Sequence, residues 1–378
     1  MKQIEATYRI VTPMFLGGAD TGLLADAIRP PSIKGALRFW WRALRWSALR
    51  DAAPDDASAL VELHKQEAAL FGAAASANGG SQASFILRTE RRVAKQGVKN
   101  VVHEQLSRLP GARYLGYGLM ERPCVEPDQI FTVQLRSRQT LDATVYQALI
   151  AFGLLGGLGS RVRHGFGSVA LESVHSNDGS VKAWEPPSSQ EGYATELQNI
   201  FGTTRLQPGL PPFTTLSALS RIDLVIRAEG PLKVLDGFGQ AQMRYRSWGR
   251  NGMVLGTRSE MRFKEDHDWL KGARAATFHP RRVVFGLPHN YGKKEGDKVA
   301  GSHYARRSSP LLFHVHRLNQ NSFVGVSVLM PAQFLPDGEQ IKAGYVKVPQ
   351  KVDWNILTDF IDGKDTEGKV RFATRQTI

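Results

Sequence analysis

The pattern of apolar and polar residues divides the first half of the chain into strands and helices. Residues 3–11 alternate between the two classes and predict a strand that ends at Pro13. Residues 29–50 repeat apolar positions every three or four residues, as an amphipathic helix does. The other elements predicted in this half are a helix at 59–71, strands at 83–90 and 129–136, a helix at 140–156 and a strand at 168–174.

This order of strand, helix, strand, strand, helix and strand is the order of a ferredoxin-like (RRM-like) fold. The second half repeats it more loosely, with strands predicted at 221–228, 281–287, 310–317 and 322–330, a helix at 353–361 and a short strand at 369–373. The repetition rests on element order and not on sequence identity. We therefore predict an α+β protein with two ferredoxin-like domains, a glycine-rich loop and irregular insertions.

Composition sets the predicted domain boundaries. The first domain covers residues 1–175. Residues 176–213 are rich in Ser, Pro, Gly and Gln, contain one possible short helix at 191–201, and predict a linker or peripheral loop. The second domain covers residues 214–378, and within it residues 236–275 carry many glycines and arginines with little period, which predicts an irregular insertion.

The predicted helix at 29–50 separates its charges from its apolar surface. At about 100° per residue, its cations fall in one narrow stripe, which comprises Lys34, Arg38, Arg42 and Arg45. No acidic residue occurs between Asp26 and Asp51, whereas a solvated helix face normally mixes both signs. The stripe therefore predicts contact with nucleic acid, and Arg29 at the start of the helix is included in it.

Other residues of this helix carry separate expectations. Trp40 is expected in the core, because it lies well inside the apolar arc. Trp41 lies nearer the border with the stripe and is expected to touch RNA or to line the site. Ser32, after two prolines, is the expected helix cap.

The charge balance agrees with a polyanionic partner. The chain has 49 Lys and Arg against 35 Asp and Glu, a net charge of +14, which favours nucleic acid or an anionic membrane surface. Its longest apolar runs are too short to span a bilayer, and its first residues lack the apolar core of a signal peptide. The single cysteine, Cys124, excludes an intrachain disulfide and a Cys-x-x-Cys zinc site. A cytoplasmic protein is therefore expected.

Residues 156–167, here called the glycine segment, are a second candidate for RNA contact. The spacing does not fit a dinucleotide fingerprint, because Val162 stands where the third glycine belongs and the segment leaves a helix instead of entering one. Glycines at Gly157 and Gly159 could instead let the backbone approach a ligand, with Arg161, Arg163 and His164 supplying cationic side chains.

Two arginine-rich stretches add further candidates. Residues 243–250 interleave aromatic residues with Arg244, Arg246 and Arg250, a composition suited to base stacking and phosphate pairing. The same composition also marks protein interfaces, so this stretch binds either RNA or a partner subunit. Arg306 and Arg307 form a similar but smaller candidate.

Three motifs together resemble the RAMP superfamily of CRISPR proteins. They are TPMFLGG at 12–18, RPPSIKGALRFWWR at 29–42 and GLGSRVRHGFG at 157–167, with weaker matches in FGLP at 285–288 and RRSSPL at 306–311. More narrowly, they resemble the capping RAMP subunits of the type III-B (Cmr) effector complex. The resemblance implies two ferredoxin-like domains, a place at the end of the complex that holds the CRISPR RNA 3′ region, and a glycine-rich loop as the hallmark of the superfamily.

The expected function is therefore that of a non-catalytic RNA-binding subunit in antiviral defence. Its expected partners are CRISPR RNA, target RNA and other Cmr subunits, with no membrane and no cofactor. The alternative is a RAMP-type RNA endonuclease that uses His164 or a loop aspartate, Asp20 or Asp26. Neither site shows an acid/base pair in the sequence. His314 and His316 would share a strand face, but zinc would need further ligands, so no metal site is predicted.

Overall fold

The computed structural model describes residues 1–17, 28–76, 79–91, 101–202, 206–270, 278–292 and 295–378. Its first unit contains, in order, β1 (Lys2–Ile10), α1 (Pro30–Ala52), α2 (Asp56–Phe71), β2 (Ala73–Ser76), β3 (Gly79–Ser81), β4 (Phe85–Arg91), α3 (Val101–Ser107), α4 (Pro110–Leu115), β5 (Ile130–Ser137), α5 (Ala143–Leu155) and β6 (Val169–Ser176). The main sheet of this unit is antiparallel, with the strand order β4-β5-β1-β6.

One face of this sheet is covered by α1 and α5. Strand β1 buries Ile4, Ala6, Tyr8 and Ile10, because alternate side chains of a strand point to the same face. The Tyr8 hydroxyl donates to the Leu149 carbonyl of α5 at 3.0 Å. Burial of that hydroxyl raises the pKa of Tyr8, so it stays protonated and keeps this bond.

The start of α1 differs from the prediction. Ser32 is not the cap, because the helix already begins at Pro30 and Arg29 precedes it without a side-chain capping bond. Proline lacks an N–H group and has a helical φ, so two prolines fit the first turn, where N–H groups have no partner within the helix. The expected cap position is therefore already helical.

The second unit contains α6 (Gln190–Leu197), β7 (Arg221–Ala228), α7 (Pro231–Arg246), β8 (Met253–Val254), β9 (Thr257–Arg258), α8 (Lys264–Leu270), β10 (His289–Asn290), β11 (Lys298–Gly301), β12 (Leu311–Asn319), β13 (Ser322–Leu329), β14 (Gln340–Ala343), β15 (Val346–Pro349), α9 (Asn355–Asp362) and β16 (Gln376–Thr377). Its main sheet has the order β12-β13-β7-β16, and a smaller sheet has the order β10-β11-β14-β15. In both main sheets the first strand along the chain lies between the third and the fourth main strand.

The predicted irregular insertion at 236–275 is wrong for its first part, which belongs to α7. This helix buries Val234, Leu235, Phe238 and Met243 and packs against α4 and the second sheet. The glycines that suggested a loop are packing positions: a Cβ on Gly239 would lie 1.9 Å from the Gly111 carbonyl oxygen. Asp236 fixes the same contact by accepting from the Gly111 and Ala112 N–H groups at 2.8 and 3.2 Å.

Two predicted strands are absent because carboxylates hold their backbone N–H groups. Residues 281–285 form a 3₁₀ helix, in which the Arg281 and Arg282 N–H groups donate to the Asp266 carboxylate at 2.8 and 3.0 Å. Residues 371–374 form a turn, and just before it the Lys369 N–H group donates to the Asp365 carboxylate at 2.9 Å. The last strand of the sheet is instead β16.

The short helix predicted at 191–201 is present, but this part of the predicted linker or peripheral loop at 176–213 is buried and not peripheral. There α6 runs into a π-helical turn, and Tyr193, Leu197 and Phe201 are buried in the main core. The Tyr193 hydroxyl donates to the Leu154 carbonyl at 2.6 Å, and its ring stacks on His316 of β12 at 3.9 Å. This segment therefore packs against both units and is more than a link along the chain.

The buried histidines make stability depend on pH. Burial lowers the pKa of His314 to about 3 and holds the pKa of His316 well below its usual value, with the charge of His314 adding to the effect at His316. Both rings are therefore neutral in the folded protein, whereas in the unfolded chain they bind protons below about pH 6.5. Because the unfolded state then holds more protons, folding stability must fall as the pH decreases.

We expect the free energy of unfolding to drop between pH 7.5 and 5.5, at about 1.4 kcal/mol per pH unit for each such histidine once the pH is below 6.5. Urea titrations across this range measure the slope. His316→Phe keeps a ring against Tyr193 but removes one titrating group, so its slope should be shallower. An unchanged slope in this variant would show that His316 is protonated in the fold.

Trp41 provides a test of the packing under α1. We expect Trp41→Ala to lower the free energy of unfolding by about 3–5 kcal/mol, as removal of a buried aromatic side chain does. Trp41→Phe should cost less, because it removes chiefly the indole N–H bond to the Thr144 hydroxyl at 2.8 Å. Equal stability of Trp41→Ala and the parent protein in urea would contradict the burial.

Candidate nucleic-acid interface

The basic stripe of α1 lies along α2 and is partly neutralised there. Arg38 forms an ion pair with Glu67, whose side chain is only 5% exposed, and Arg42 lies 3.9 Å from the same carboxylate. Arg45 donates to Gln66 at 3.3 Å. The absence of acids within the helix sequence is therefore offset by an acid from the next helix, and Lys34 is the stripe cation without a partner among the described residues.

Trp41 does not reach the surface, so the expectation that it touches RNA is wrong. Its side chain is 1% exposed and packs on Phe71, and Trp40 is equally buried at 2%. Both tryptophans lie in the core because α1 is covered on two sides, by α5 and by α2. A helical projection of α1 alone shows only one apolar arc and cannot show the second covering helix.

The glycine segment is wedged between the two units. The Ser160 N–H group donates to the Phe15 carbonyl at 2.9 Å, and on the other side the Phe313 N–H group of β12 donates to the Arg163 carbonyl at 2.9 Å. Gly159 has a φ of +92°, and a Cβ there would lie 2.6 Å from the Phe15 carbonyl oxygen. The glycine is needed for this contact, while its other side is exposed.

A cleft of about 840 Å³ opens on one side of the glycine segment, and we call it the cationic cleft. Four arginines line it: Arg113 and Arg161 from the first unit, and Arg246 and Arg282 from the second. Among the described residues of its lining, Glu121 is the one acidic side chain. Arg282 is paired with Asp266 at 2.8 Å, whereas the other three arginines have no acidic partner among the described residues. The cleft therefore carries a net positive charge.

Aromatic and histidine side chains complete the cationic cleft. Tyr117 is 79% exposed at its edge, and Tyr291 and His289 lie deeper. Arg246 lies over the Phe285 ring at 4.5 Å and its Nη2 is 3.4 Å from His289 Nε2. Burial and the charges of Arg246 and Arg282 hold the pKa of His289 well below its usual value, so the imidazole is neutral and can accept from an arginine.

His164 also lines the cationic cleft, but it has no acid/base partner. Its Nδ1 lies 2.9 Å from the Leu115 carbonyl, which assigns the proton to that nitrogen. Burial lowers the pKa of His164 to about 4, and the charges of Arg161 and Arg246 act in the same direction. At neutral pH the ring is an uncharged imidazole and a very weak base.

A second cavity of about 310 Å³ lies between α1 and the glycine segment, and we call it the helix–loop groove. Its walls are mainly apolar and include Ala36, Phe39, Val162 and Leu312. Arg163 provides the charged end, where its Nη1 donates to the Ser309 carbonyl at 2.6 Å. The predicted basic helix and the predicted glycine segment thus meet at this groove, together with β12.

The remaining predicted residues are scattered. Arg244 is paired with Asp365 at 3.1 Å and has a structural role, and Arg250 is exposed beside Trp248 in a separate hollow. Arg306 is exposed, Arg307 is half-buried over the Phe334 ring, and Arg29 donates to the Gly17 carbonyl at 3.4 Å. Asp20 and Asp26 lie outside the described residues.

Several residues of the cationic cleft were not predicted from the sequence. Arg113 and Tyr117 belong to a short helical stretch with no motif, and Arg282 and Tyr291 lie near a predicted strand that does not form. Their one sequence signal is the excess of arginine near aromatic residues.

Across the described ranges, no three potential metal ligands come together, and no helix is long and apolar enough to cross a membrane.

Comparison with known proteins agrees with the resemblance seen in the sequence. The sequence profile of the RAMP superfamily matches residues 7–170, which contain the end of β1, α1 and the glycine segment. This part of the chain is similar to the RAMP superfamily. The resemblance predicted from the three motifs is thereby confirmed, and all three motifs lie within residues 7–170. Among curated proteins, none matches the chain in sequence.

Solved structures resemble the fold of this chain over both units. Cmr1 from Pyrococcus furiosus, in its apo form, aligns with 95% of this chain and 97% of its own length, with a TM-score of 0.55 and 19% identity. A chain of the type III-B Cmr-beta complex bound to cognate target RNA aligns with 95% of this chain and 98% of its own length, with a TM-score of 0.53 and 13% identity. At these identities the likeness shows a shared mixed α/β fold.

The pairing of Arg38 with Glu67 predicts a structural role for this arginine. We expect Arg38→Gln to lower the free energy of unfolding by about 1–3 kcal/mol, because it leaves a buried carboxylate with only the more distant Arg42. Lys34→Gln is the matched control from the same stripe and should stay within about 0.5 kcal/mol of the parent protein. Urea unfolding measures both. A stable Arg38→Gln protein with weakened RNA binding would instead restore the stripe as a contact surface.

Proposed function

We propose that this chain is a non-catalytic RNA-binding subunit of a type III-B CRISPR effector ribonucleoprotein in antiviral defence. It would contact the CRISPR RNA 3′ region, target RNA, or both, together with other subunits of the Cmr complex. The observation that carries the proposal is the cationic cleft, in which three arginines without an acidic partner among the described residues face one space between the two units.

The fold supports this assignment. Both main sheets show the strand order expected of ferredoxin-like units, and we propose that the chain contains two of them, with the glycine segment as the RAMP glycine-rich loop. A similar structure belongs to a type III-B complex bound to cognate target RNA. Phosphate groups are the ligands that grouped arginines bind best, and the exposed Tyr117 adds a ring on which a base can stack.

The absence of catalysis is also part of the proposal. General acid–base cleavage of RNA needs a group whose pKa lies near the working pH. The pKa of His164 is far below neutrality, and its Nδ1 is engaged by the Leu115 carbonyl. His164 is therefore better suited to hold the α4 segment against the glycine segment than to move a proton.

RNA binding should depend on the cleft arginines and on salt. If about four phosphates are neutralised, the slope of log affinity against log salt should be near −2.8, from about −0.7 per phosphate on a single strand. The Arg161→Gln and Arg246→Gln double variant should bind more weakly and have a slope less steep by about 1.4. Anisotropy titrations with labelled single-stranded RNA measure both quantities.

The control is Arg138→Gln, an exposed arginine that lines neither the cationic cleft nor the helix–loop groove. It should change affinity and slope little. An effect of Arg138→Gln about half that of the double cleft variant, as expected for one charge against two, would mean that binding follows net charge and not the cleft.

A cleavage assay tests the non-catalytic part. The purified chain, with labelled RNA and with or without Mg²⁺, should leave the RNA intact. Cleavage that disappears in His164→Ala while RNA affinity is kept would contradict the proposal and establish a nuclease.

A further inference from the structure

The helix–loop groove has two chemically different parts. Its body is apolar, with walls from α1 (Ala36 and Phe39), the glycine segment (Val162) and β12 (Leu312). Its end carries the guanidinium of Arg163. A volume of about 310 Å³ is small for a ligand site and suits one planar ring with a charged substituent.

The cationic end of the groove lacks a counter-ion among the described residues. Arg163 donates to the Ser309 carbonyl, and no acidic side chain of the described ranges pairs with it. Burial and, after it, the charge of Arg307 lower the pKa of Arg163 to about 10. A partly desolvated cation without an acidic partner favours an anion that can approach it.

An aromatic surface lies beside this charge. The Phe39 ring is half-buried, packs edge-on against Trp40, and has the Arg163 guanidinium 5.5 Å from its centroid. An aromatic ring and an arginine plane are the two surfaces on which unstacked bases pack in proteins that bind single strands. The apolar body of the groove thus matches a base, and its charged end matches the phosphate of the same nucleotide.

The groove and the cationic cleft are neighbours along the glycine segment. Arg161 lines the cleft and Arg163 lines the groove, so the two linings are at most about 7 Å apart along the backbone. Arg161 in the lining of the cleft and Gly159 in the lining of the groove are both exposed. A single strand that leaves the cleft across this point would therefore pass directly over the opening of the groove.

We propose that the helix–loop groove holds one unstacked nucleobase of the bound RNA, with the phosphate of that nucleotide at Arg163. This inference rests on the proposed RNA-binding function. It favours a nucleotide over an apolar side chain of a partner subunit, because Arg163 in the groove has no acidic partner among the described residues and the groove lies next to a cleft suited to phosphates. The base is held by stacking and apolar contact, so the site is tolerant of sequence.

Two opposite changes test the groove. Ala36→Phe fills it from α1, and Phe39→Ala removes its stacking surface. Ala48→Phe introduces the same ring at an exposed position of α1 that does not line the groove, and it serves as the matched control. The affinity of each full-length variant is measured by anisotropy with two labelled octamers, a single-stranded RNA and a ribose-phosphate chain of equal length without bases.

We expect Ala36→Phe and Phe39→Ala to weaken binding of the RNA octamer about tenfold, within the range for loss of one stacked base. Binding of the octamer without bases should not change, and Ala48→Phe should bind both as the parent protein does. A thermal melt identifies a variant that fails to fold. Because Ala36→Phe fills the groove and Phe39→Ala empties it, either variant that folds is enough to test whether the groove holds a base.

The contrary results separate this inference from the proposed function. If the parent protein binds RNA but both groove variants bind it equally well, or lose affinity for both octamers alike, the groove holds no base. Unchanged RNA affinity with loss of a partner subunit from the assembled complex would assign the groove to a protein side chain and also overturn the inference. Failure of the parent protein to bind either octamer would instead contradict the proposed function itself.

Discussion

The position of the glycine segment between the two units is the constraint on which both cavities depend. Backbone hydrogen bonds fix it on one side to the Phe15 carbonyl and on the other to the Phe313 N–H group of β12. The cationic cleft exists because the segment holds Arg161 opposite Arg246, and the helix–loop groove exists because it holds Arg163 beside Phe39. A shift of this segment would therefore alter both cavities at once.

The basic stripe on α1 is partly neutralised by a buried acid, whereas most arginines of the cationic cleft have no acidic partner among the described residues. The stripe on α1 carries four cations, but Glu67 is buried beneath it and pairs with Arg38. In the cationic cleft, acids compensate only part of the arginines, and nearby histidines are kept neutral by burial. Neutral histidines avoid further repulsion among the arginines, which leaves the cleft open to an anionic ligand. The positions of the acidic residues thus indicate where an anion can bind better than the net charge of the chain does.

Prediction from the sequence succeeded where structure is local. Strand β7 was predicted at its exact bounds, α1 from the helical spacing of its apolar residues, and α5 from its content of Ala, Leu and Ile. It failed where a distant residue decides, as for Glu67 beneath the stripe and Asp266 beneath the expected strand at 281–287. Helix α7 was missed because its glycines serve close packing against α4, a contact that the sequence of α7 alone does not contain.

The central claim is that RNA lies between the two units, in the cationic cleft and over the glycine segment. Ultraviolet crosslinking of the full chain to single-stranded RNA, followed by mass spectrometry of the crosslinked peptides, tests it most directly. The account predicts crosslinks in peptides from both units, around Tyr117, the glycine segment and residues 282–291. Crosslinks confined to the outer faces of α1 and α2, with none around the cleft, would contradict it.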